Sequence, residues 1–537
     1  MGKLILAAAA ALLASQVAAQ APPPPKLLVV ISVDQFSADL FDEYRPQFTG
    51  GLARLAGGTV FRNGYQSHAT TETCPGHSTI LTGDRPARTG IVANAWTDQS
   101  IARADKNIYC SEDPQIAGST SPDYTVSSQQ LRVPTLGEMI KARWPQSRNV
   151  AVAGKDRAAV MMSGHRADQR WYWDGKTFAT DLAGITPPAG VAAINAELAR
   201  AIAVPAPGLK PPPFCSAKAQ PIAVEGHAPV GGGTLARAAG DVGGFENSPE
   251  SDGAVLALAA ALVNEMRLGH GSAPDVLSIG LSATDHVGHA FGTEGQEMCL
   301  QLLSLDWNLG DFLGFLDRTG IDYAVALTAD HGGQDLPERL RLHGVADAQR
   351  VDPALAASAV GKVIGAQLGL SGPLLFGDYS GDMYLDRALG AADRSRVLDA
   401  ALRFYRAQPQ VAAVFTSDEI AGTALPTSSP DKWSLIERVR ASFDARRSGD
   451  FYVILKQHVM PIAHPTGSVA THGSPWDYDR RVPILFWRPG FRGRTVDTPA
   501  ETVDIMPTLA ALIRFPLAAG SVDGHCLDNT PALCPPR

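Results

Sequence analysis

Runs of apolar residues that stop at a charged or imidazole side chain recur along this chain. Leu27 to Val33 reads LLVVISV and closes on Asp34. A strand apolar on both faces belongs inside a parallel sheet, with helices above and below it. Asn149 to Ala153 repeats the pattern and runs into Lys155-Asp156-Arg157. Asp275 to Leu281 runs into Thr284-Asp285-His286-Val-Gly-His289, and Asp322 to Thr328 into Asp330-His331-Gly332-Gly333. A last apolar run, Val482 to Phe486, follows Thr471-His472-Gly473. Between these runs apolar positions recur at helical spacing, over Ser251 to Leu268, residues 295–318 and Ala391 to Gln408. A closing helix is predicted over Pro499 to Leu512. Strands alternating with helices imply an α/β fold with a mainly parallel central sheet flanked by helices. Open α/β sheets bind ligands beyond the carboxyl ends of their strands. Asp34, Lys155, Asp285 and Asp330 all fall at such ends.

Two stretches interrupt this order. Residues 184–250 are rich in Pro, Gly and Ala and read as a loop-rich insertion. The three glycines 231–233 lack the Lys-Ser/Thr of a phosphate loop and read as flexible chain. Residues 334–456 look less regular, with one helix and a strand at Phe451 to Lys456, and suggest a smaller α+β insertion. The expectation is one catalytic domain over residues 20–537 carrying both insertions.

Residues 1–19 have the form of a signal peptide: Lys3, an apolar Leu4 to Ala14, and Val17-Ala18-Ala19 as cleavage site. This implies a periplasmic or secreted protein, and no later stretch is long and apolar enough to span a membrane. Export permits disulfides. Of the six cysteines, Cys526 and Cys534 are the expected pair, Cys74 reads as free, and the partners of Cys110, Cys215 and Cys299 stay open. No CxxC pair occurs, which argues against a structural zinc finger or a thioredoxin-like centre. The 537 residues are 45% hydrophobic and 19% charged, enough for a large core. A net charge of -8 excludes a basic nucleic-acid binder.

The segment Ser67 to Gly83, SHATTETCPGHSTILTG, carries the candidate nucleophile. Thr73 reads as an N-cap with Pro75 in the first helical turn. The start of a helix favours an anion. A threonine hydroxyl there needs a base or a metal to attack at neutral pH. Asp34, Asp285, His289, Asp330, His331 and His472 are the oxygen and imidazole ligands that zinc takes in catalytic sites. They divide into two sets of three. Singly, each has a plainer reading. Asp34 suits a helix cap, Asn94 a turn, and Lys155 with Arg157 a solvated charge cluster.

T-x-T-x-P-x-H, D-H-x-x-H, A-D-H-G-G and the late T-H-G together resemble the alkaline phosphatase superfamily. More narrowly they resemble its threonine-nucleophile branch, the PhoK/PafA type, from about Leu27 to the last helix. The resemblance implies that Thr73 is the nucleophile, forming a phospho-threonine. It implies one zinc on Asp285, His289 and His472, and a second on Asp34, Asp330 and His331 with Thr73. Asn94, Lys155 and Arg157 would bind phosphoryl oxygens; His286 and His464 have no place in the pattern. The implied substrates are small phosphate monoesters, with no nucleic-acid partner; the sequence leaves the oligomeric state open, a monomer being favoured. Nucleotide pyrophosphatase/phosphodiesterases share most of these groups and are the alternative. Lys155 and Arg157 favour a monoester, whose extra negative charge rewards added cations. A formylglycine sulfatase fits poorly, because Cys74 is one residue late and lacks the following Arg.

Overall fold

The computed structural model describes residues 23–491, 493–527 and 534. The expected signal peptide lies outside them. Among the described residues the main sheet has ten strands. Its centre runs Tyr323–Thr328, Leu27–Val33, Asp275–Leu281, Asn149–Ala153, Gln169–Trp173, all parallel. Arg481–Trp487 borders this block and is antiparallel to both of its neighbours, Tyr323–Thr328 and Thr59–Tyr65. The fold is thus the α/β sheet expected, with its long parallel run in the middle and short parallel pairs again where Arg494–Val496 and Ala500–Glu501 meet Thr59–Tyr65.

The apolar runs form this centre because both faces are covered. Every residue of Leu27–Val33, Asp275–Leu281 and Tyr323–Thr328 is buried. Side chains alternate across the sheet. Leu27, Val29, Ile31 and Val33 join one apolar layer with the helices Pro249–Glu265 and Gln296–Thr319. Leu28 and Val30 join the other, under Thr73–Thr82, Asp156–Ser163 and Ile505–Leu512. The three central strands end level, with Val33 opposite Leu281 and Ser32 opposite Thr328. Asp34, Asp285 and Asp330 therefore leave one edge of the sheet together.

Several expectations are corrected. The 334–456 stretch is more regular than it reads. It contains a four-stranded sheet of Leu375–Phe376, Gly381–Leu385, Phe451–Leu455 and Val411–Thr416 with its own apolar cluster. Its strands are short, and all but Phe451–Leu455 are partly exposed, so they lack the long apolar runs that mark the main sheet. The closing helix is only Ile505–Leu512, because Ala500–Glu501 pairs with the sheet edge and Thr502–Asp504 forms a tight turn. The 184–250 stretch holds a helix, Ala189–Ile202, and a small hairpin. Gly231 and Gly233 are not free chain; their N–H groups donate to Glu297 Oε1 at 2.9 and 2.7 Å. Cys74 is not free either and pairs with Cys110. Cys215 pairs with Cys299, and Cys526 with Cys534 as expected. Among the described residues no helix is long and apolar enough to cross a membrane.

Candidate active site

Thr73 opens the helix Thr73–Thr82, and extended Glu72 takes the cap position that the sequence suggested for Thr73. The whole helix is buried. Gly76 lets its first turn lie against the end of the Tyr323–Thr328 strand: a Cβ there would sit 2.0 Å from the Asp330 carbonyl. Thr73 Oγ1 is buried with no hydrogen-bond partner.

Asp34 leaves the central strand at a sharp turn in which Gln35 takes φ 61°, a left-handed conformation. That turn aims the Gln35 N–H at Asp330 Oδ1, 3.2 Å away. The His331 N–H donates to the same oxygen at 3.0 Å. His331 Nε2 then lies 3.3 Å from both Asp34 Oδ1 and Asp330 Oδ2. Asp285 and His289 stand one turn apart on Ala283–Phe291, with His289 Nε2 3.2 Å from Asp285 Oδ1. His472 Nε2 reaches the same oxygen at 3.4 Å. The His331 and His472 rings stack at 3.6 Å. Ligand atoms of Asp34, Asp330 and His331 lie within 4.8 Å of one another, and so do those of Asp285, His331 and His472. His331 therefore stands between the two groups.

The three imidazoles are oriented alike. Nδ1 meets a backbone carbonyl in each: Ala470 O at 2.8 Å for His289, Gly332 O at 2.8 Å for His331, Thr71 O at 2.9 Å for His472. A carbonyl only accepts, so Nδ1 carries the proton and Nε2 turns its lone pair toward the carboxylates. Burial and His331 push His472 down to about 4, so that ring is neutral. Asp34 Oδ1, Asp285 Oδ1, Asp330 Oδ2 and His331 Nε2 are buried without hydrogen-bond partners. Acceptors facing acceptors in a buried site call for cations between them. The same pull acts on protons: burial opposes a charged His331, but Asp330 and Asp34 raise it to about 9. Burial would raise the Asp34 and Asp285 carboxyls, yet Lys155 and the adjacent imidazoles hold both well below the usual range. Oxygen and imidazole donors with unsatisfied inward atoms fit divalent metal, zinc foremost.

Lys155 is not free in the cleft. Its Nζ is 2.6 Å from Asp34 Oδ2 and also donates to Asp285 Oδ2, so it bridges the two groups. Arg157 Nη1 donates to the Tyr109 hydroxyl at 3.2 Å, and Tyr109 donates to Asp156. Asn94 Oδ1 accepts the Cys74 N–H at 2.8 Å, beside Thr73. His286 lines a cleft of ≈ 420 Å³ with Lys155, Arg157, Trp173 and Glu246, and His464 is exposed. Sequence reasoning gave no role to His77 or Gln35. His77 Nδ1 lies 2.9 Å from Thr73 O and 3.1 Å from Asp330 Oδ2, one helical turn beyond Thr73. The T-x-T-x-P-x-H spacing contained that signal; for Gln35 there was none.

Residues 28–475 match the family model described as type I phosphodiesterase / nucleotide pyrophosphatase. The chain is 53% identical over 503 residues to Alkaline phosphatase PhoK of Sphingomonas sp, covering 93% of this chain and 90% of that one. It is 48% identical over 507 residues to Alkaline phosphatase PhoD of Zymomonas mobilis, covering 93% and 87%. The crystal structure of alkaline phosphatase PafA has the same fold, with a TM-score of 0.81 at 24% identity over 94% of this chain and 99% of that one. Agreement over nearly the full length of both chains leaves one conclusion: this chain belongs to the type I phosphodiesterase / nucleotide pyrophosphatase family, on the side of its alkaline phosphatases.

Proposed function

We propose that this chain is an alkaline phosphatase that hydrolyses phosphate monoesters through a phospho-threonine at Thr73, with two zinc ions. The observation that carries the reading is the buried set of unpaired oxygen and imidazole acceptors beside an unpaired Thr73 hydroxyl. Asp285, His289 and His472 would hold one ion, and Asp34, Asp330 and His331 the other. Divalent ions held there would favour the Thr73 alkoxide and stabilise charge on the leaving oxygen.

The chain's own residues do the rest. The Thr73–Thr82 helix presents the hydroxyl at its positive end, where a phosphoryl group is favoured. Asn94 and Arg157 supply N–H donors for non-bridging oxygens. Lys155 adds a positive charge between the ligand carboxylates, which suits a dianion over a monoanion. Attack by Thr73 Oγ1 on phosphorus forms the P–O bond to threonine and expels the alcohol. Water then cleaves that bond, releasing inorganic phosphate and restoring Thr73. The 1–19 segment and three disulfides support export to the periplasm or beyond, as one catalytic domain over 20–537.

The test is the rate on an aryl phosphate and a bis-aryl phosphate, before and after dialysis against chelator. Monoester turnover should be lost and return with zinc at about two ions per chain. Full activity without metal would overturn the two-zinc reading. Preference for the diester would make this a phosphodiesterase.

A further inference from the structure

Asn94 is gripped at three points. Its N–H donates to Glu72 Oε2 at 2.5 Å, its carbonyl accepts the Cys110 N–H at 2.9 Å, and its side-chain Oδ1 accepts the Cys74 N–H at 2.8 Å. Cys74 and Cys110 are joined by a disulfide, so two of the three gripping residues are covalently one unit. The third, Glu72, directly precedes Thr73. It holds the cap position of the Thr73 helix, yet its side chain makes no capping bond to that helix. A glutamate is a poor choice for a cap. Its carboxylate instead reaches across to Asn94.

The grip changes what Asn94 can offer. A carboxamide carries both an acceptor and two donors. The Cys74 N–H engages Oδ1 and so fixes which way round the amide sits, leaving the two side-chain N–H donors for a ligand. A phosphoryl oxygen accepts and never donates, so this is the half of the amide that binds it and rejects nothing. Preorganised donors are effective because they need no rearrangement when charge develops.

We propose that Glu72 and the Cys74–Cys110 disulfide form a clamp that fixes Asn94 as a donor-only group for the phosphoryl oxygens, making Glu72 a positioning residue of the reaction. The proposal rests on the reading of Asn94 as a phosphoryl contact. It also explains why the disulfide lies next to the nucleophile: it joins the donor on Asn94 Oδ1 to the donor on the Asn94 carbonyl.

The experiment is a pair of double-mutant cycles on the zinc-loaded full chain. One combines Glu72→Ala with Asn94→Ala; the other combines Cys74→Ala/Cys110→Ala with Asn94→Ala. Readouts are kcat and KM on an aryl phosphate, the inhibition constant of inorganic phosphate, and zinc content. Asn94→Ala should cost about 10- to 100-fold in kcat/KM, the size of a lost bond to a charged group. Glu72→Ala should cost about tenfold at unchanged zinc content, with weaker inhibition by phosphate. In the Asn94→Ala background it should cost less than about twofold, because a clamp with nothing to hold has no further effect. Glu72→Gln keeps an oxygen acceptor and should stay within about threefold of wild type. The cysteine pair should show the same loss of effect without Asn94, and this cycle decides the matter if Glu72→Ala does not fold. Effects that multiply fully with Asn94→Ala, or a fall in zinc content, would overturn the clamp while leaving Asn94 in place. Asn94→Ala at wild-type rate would instead remove the reading of Asn94 itself, and the clamp with it.

Discussion

In the proposed site, Lys155 is the group through which charge would choose between monoester and diester. Its Nζ sits between Asp34 and Asp285 with 7% of the side chain exposed. Burial works against its charge, but the two carboxylates outweigh that and keep it protonated above the ordinary lysine range. Asp34, Asp285 and Asp330 bring three negative charges, and Arg157 stands next to Asp156. With two divalent ions bound and Thr73 still protonated, Lys155 leaves the site two net positive charges, the match for a monoester dianion. Without Lys155 one remains, the match for a diester monoanion. The difference between the substrates is one extra negative charge near Lys155. At roughly 5 Å and an effective dielectric of about 20, that charge is worth ~3 kcal/mol. At about 1.4 kcal/mol per tenfold, Lys155→Ala should lower the monoester-to-diester ratio of kcat/KM about a hundredfold. The assay is kcat/KM for aryl phosphate and bis-aryl phosphate on wild type and variant, at matched zinc content. An unchanged ratio would refute the charge argument. Equal loss on both substrates with less zinc bound would mean that Lys155 serves the ligand carboxylates only.

Other outcomes follow from the same geometry. Thr73→Ala should lose the chemical step by several orders of magnitude while keeping fold and zinc, and Thr73→Ser should retain part of the rate; stopped-flow kinetics with metal analysis checks both. Gly76→Ala places a Cβ 2.0 Å from the Asp330 carbonyl, so it should cost ~1–3 kcal/mol of stability and lower zinc content, read by thermal melting and elemental analysis. Burial raises Asp252 to about 7, so the folded state holds a proton that the unfolded chain releases near 4. Wild-type stability should therefore fall, relative to Asp252→Asn, as pH rises from 5 to 7.5. Gln301 can turn its unpaired Oε1 toward the new amide, so the substitution fits; parallel melting curves that do not diverge over that range would refute it.

The middle of the fold was legible because its physics is local. A strand covered on both faces must be apolar at successive positions, and Leu27–Val33, Asp275–Leu281 and Tyr323–Thr328 are. Where burial is one-sided or partial the signal fades. Val411–Thr416 exposes or half-exposes four of its six residues, and the sheet it belongs to could not be read from its pattern. Pro499 to Leu512 misled for the opposite reason: its first residues pair across the sheet with Gly64 and Tyr65, a contact no local spacing announces. The disulfides were legible only where the chain closes a short loop, as at Cys526 and Cys534. Cys74 meets Cys110 because the chain between them returns to the start of the Thr73–Thr82 helix.

The site was legible by type more than by arrangement. Five of the six proposed ligands follow an apolar run while His472 precedes one, and which of them meet depends on strand order. Leu27–Val33 lies between Tyr323–Thr328 and Asp275–Leu281, so Asp34, first in sequence, becomes the neighbour of both Asp330 and Asp285. That central place is why one lysine can touch two carboxylates 251 residues apart, and why Lys155 is held inside the cluster, not extended into the cleft. His472 comes from outside the parallel block altogether. Its ring is aimed by the Thr71 carbonyl, 401 residues away and two residues before Thr73. The segment that carries the proposed nucleophile therefore orients a proposed metal ligand, and that imidazole in turn pins the segment. A shift of that loop should displace both together, a coupling that only the folded chain contains.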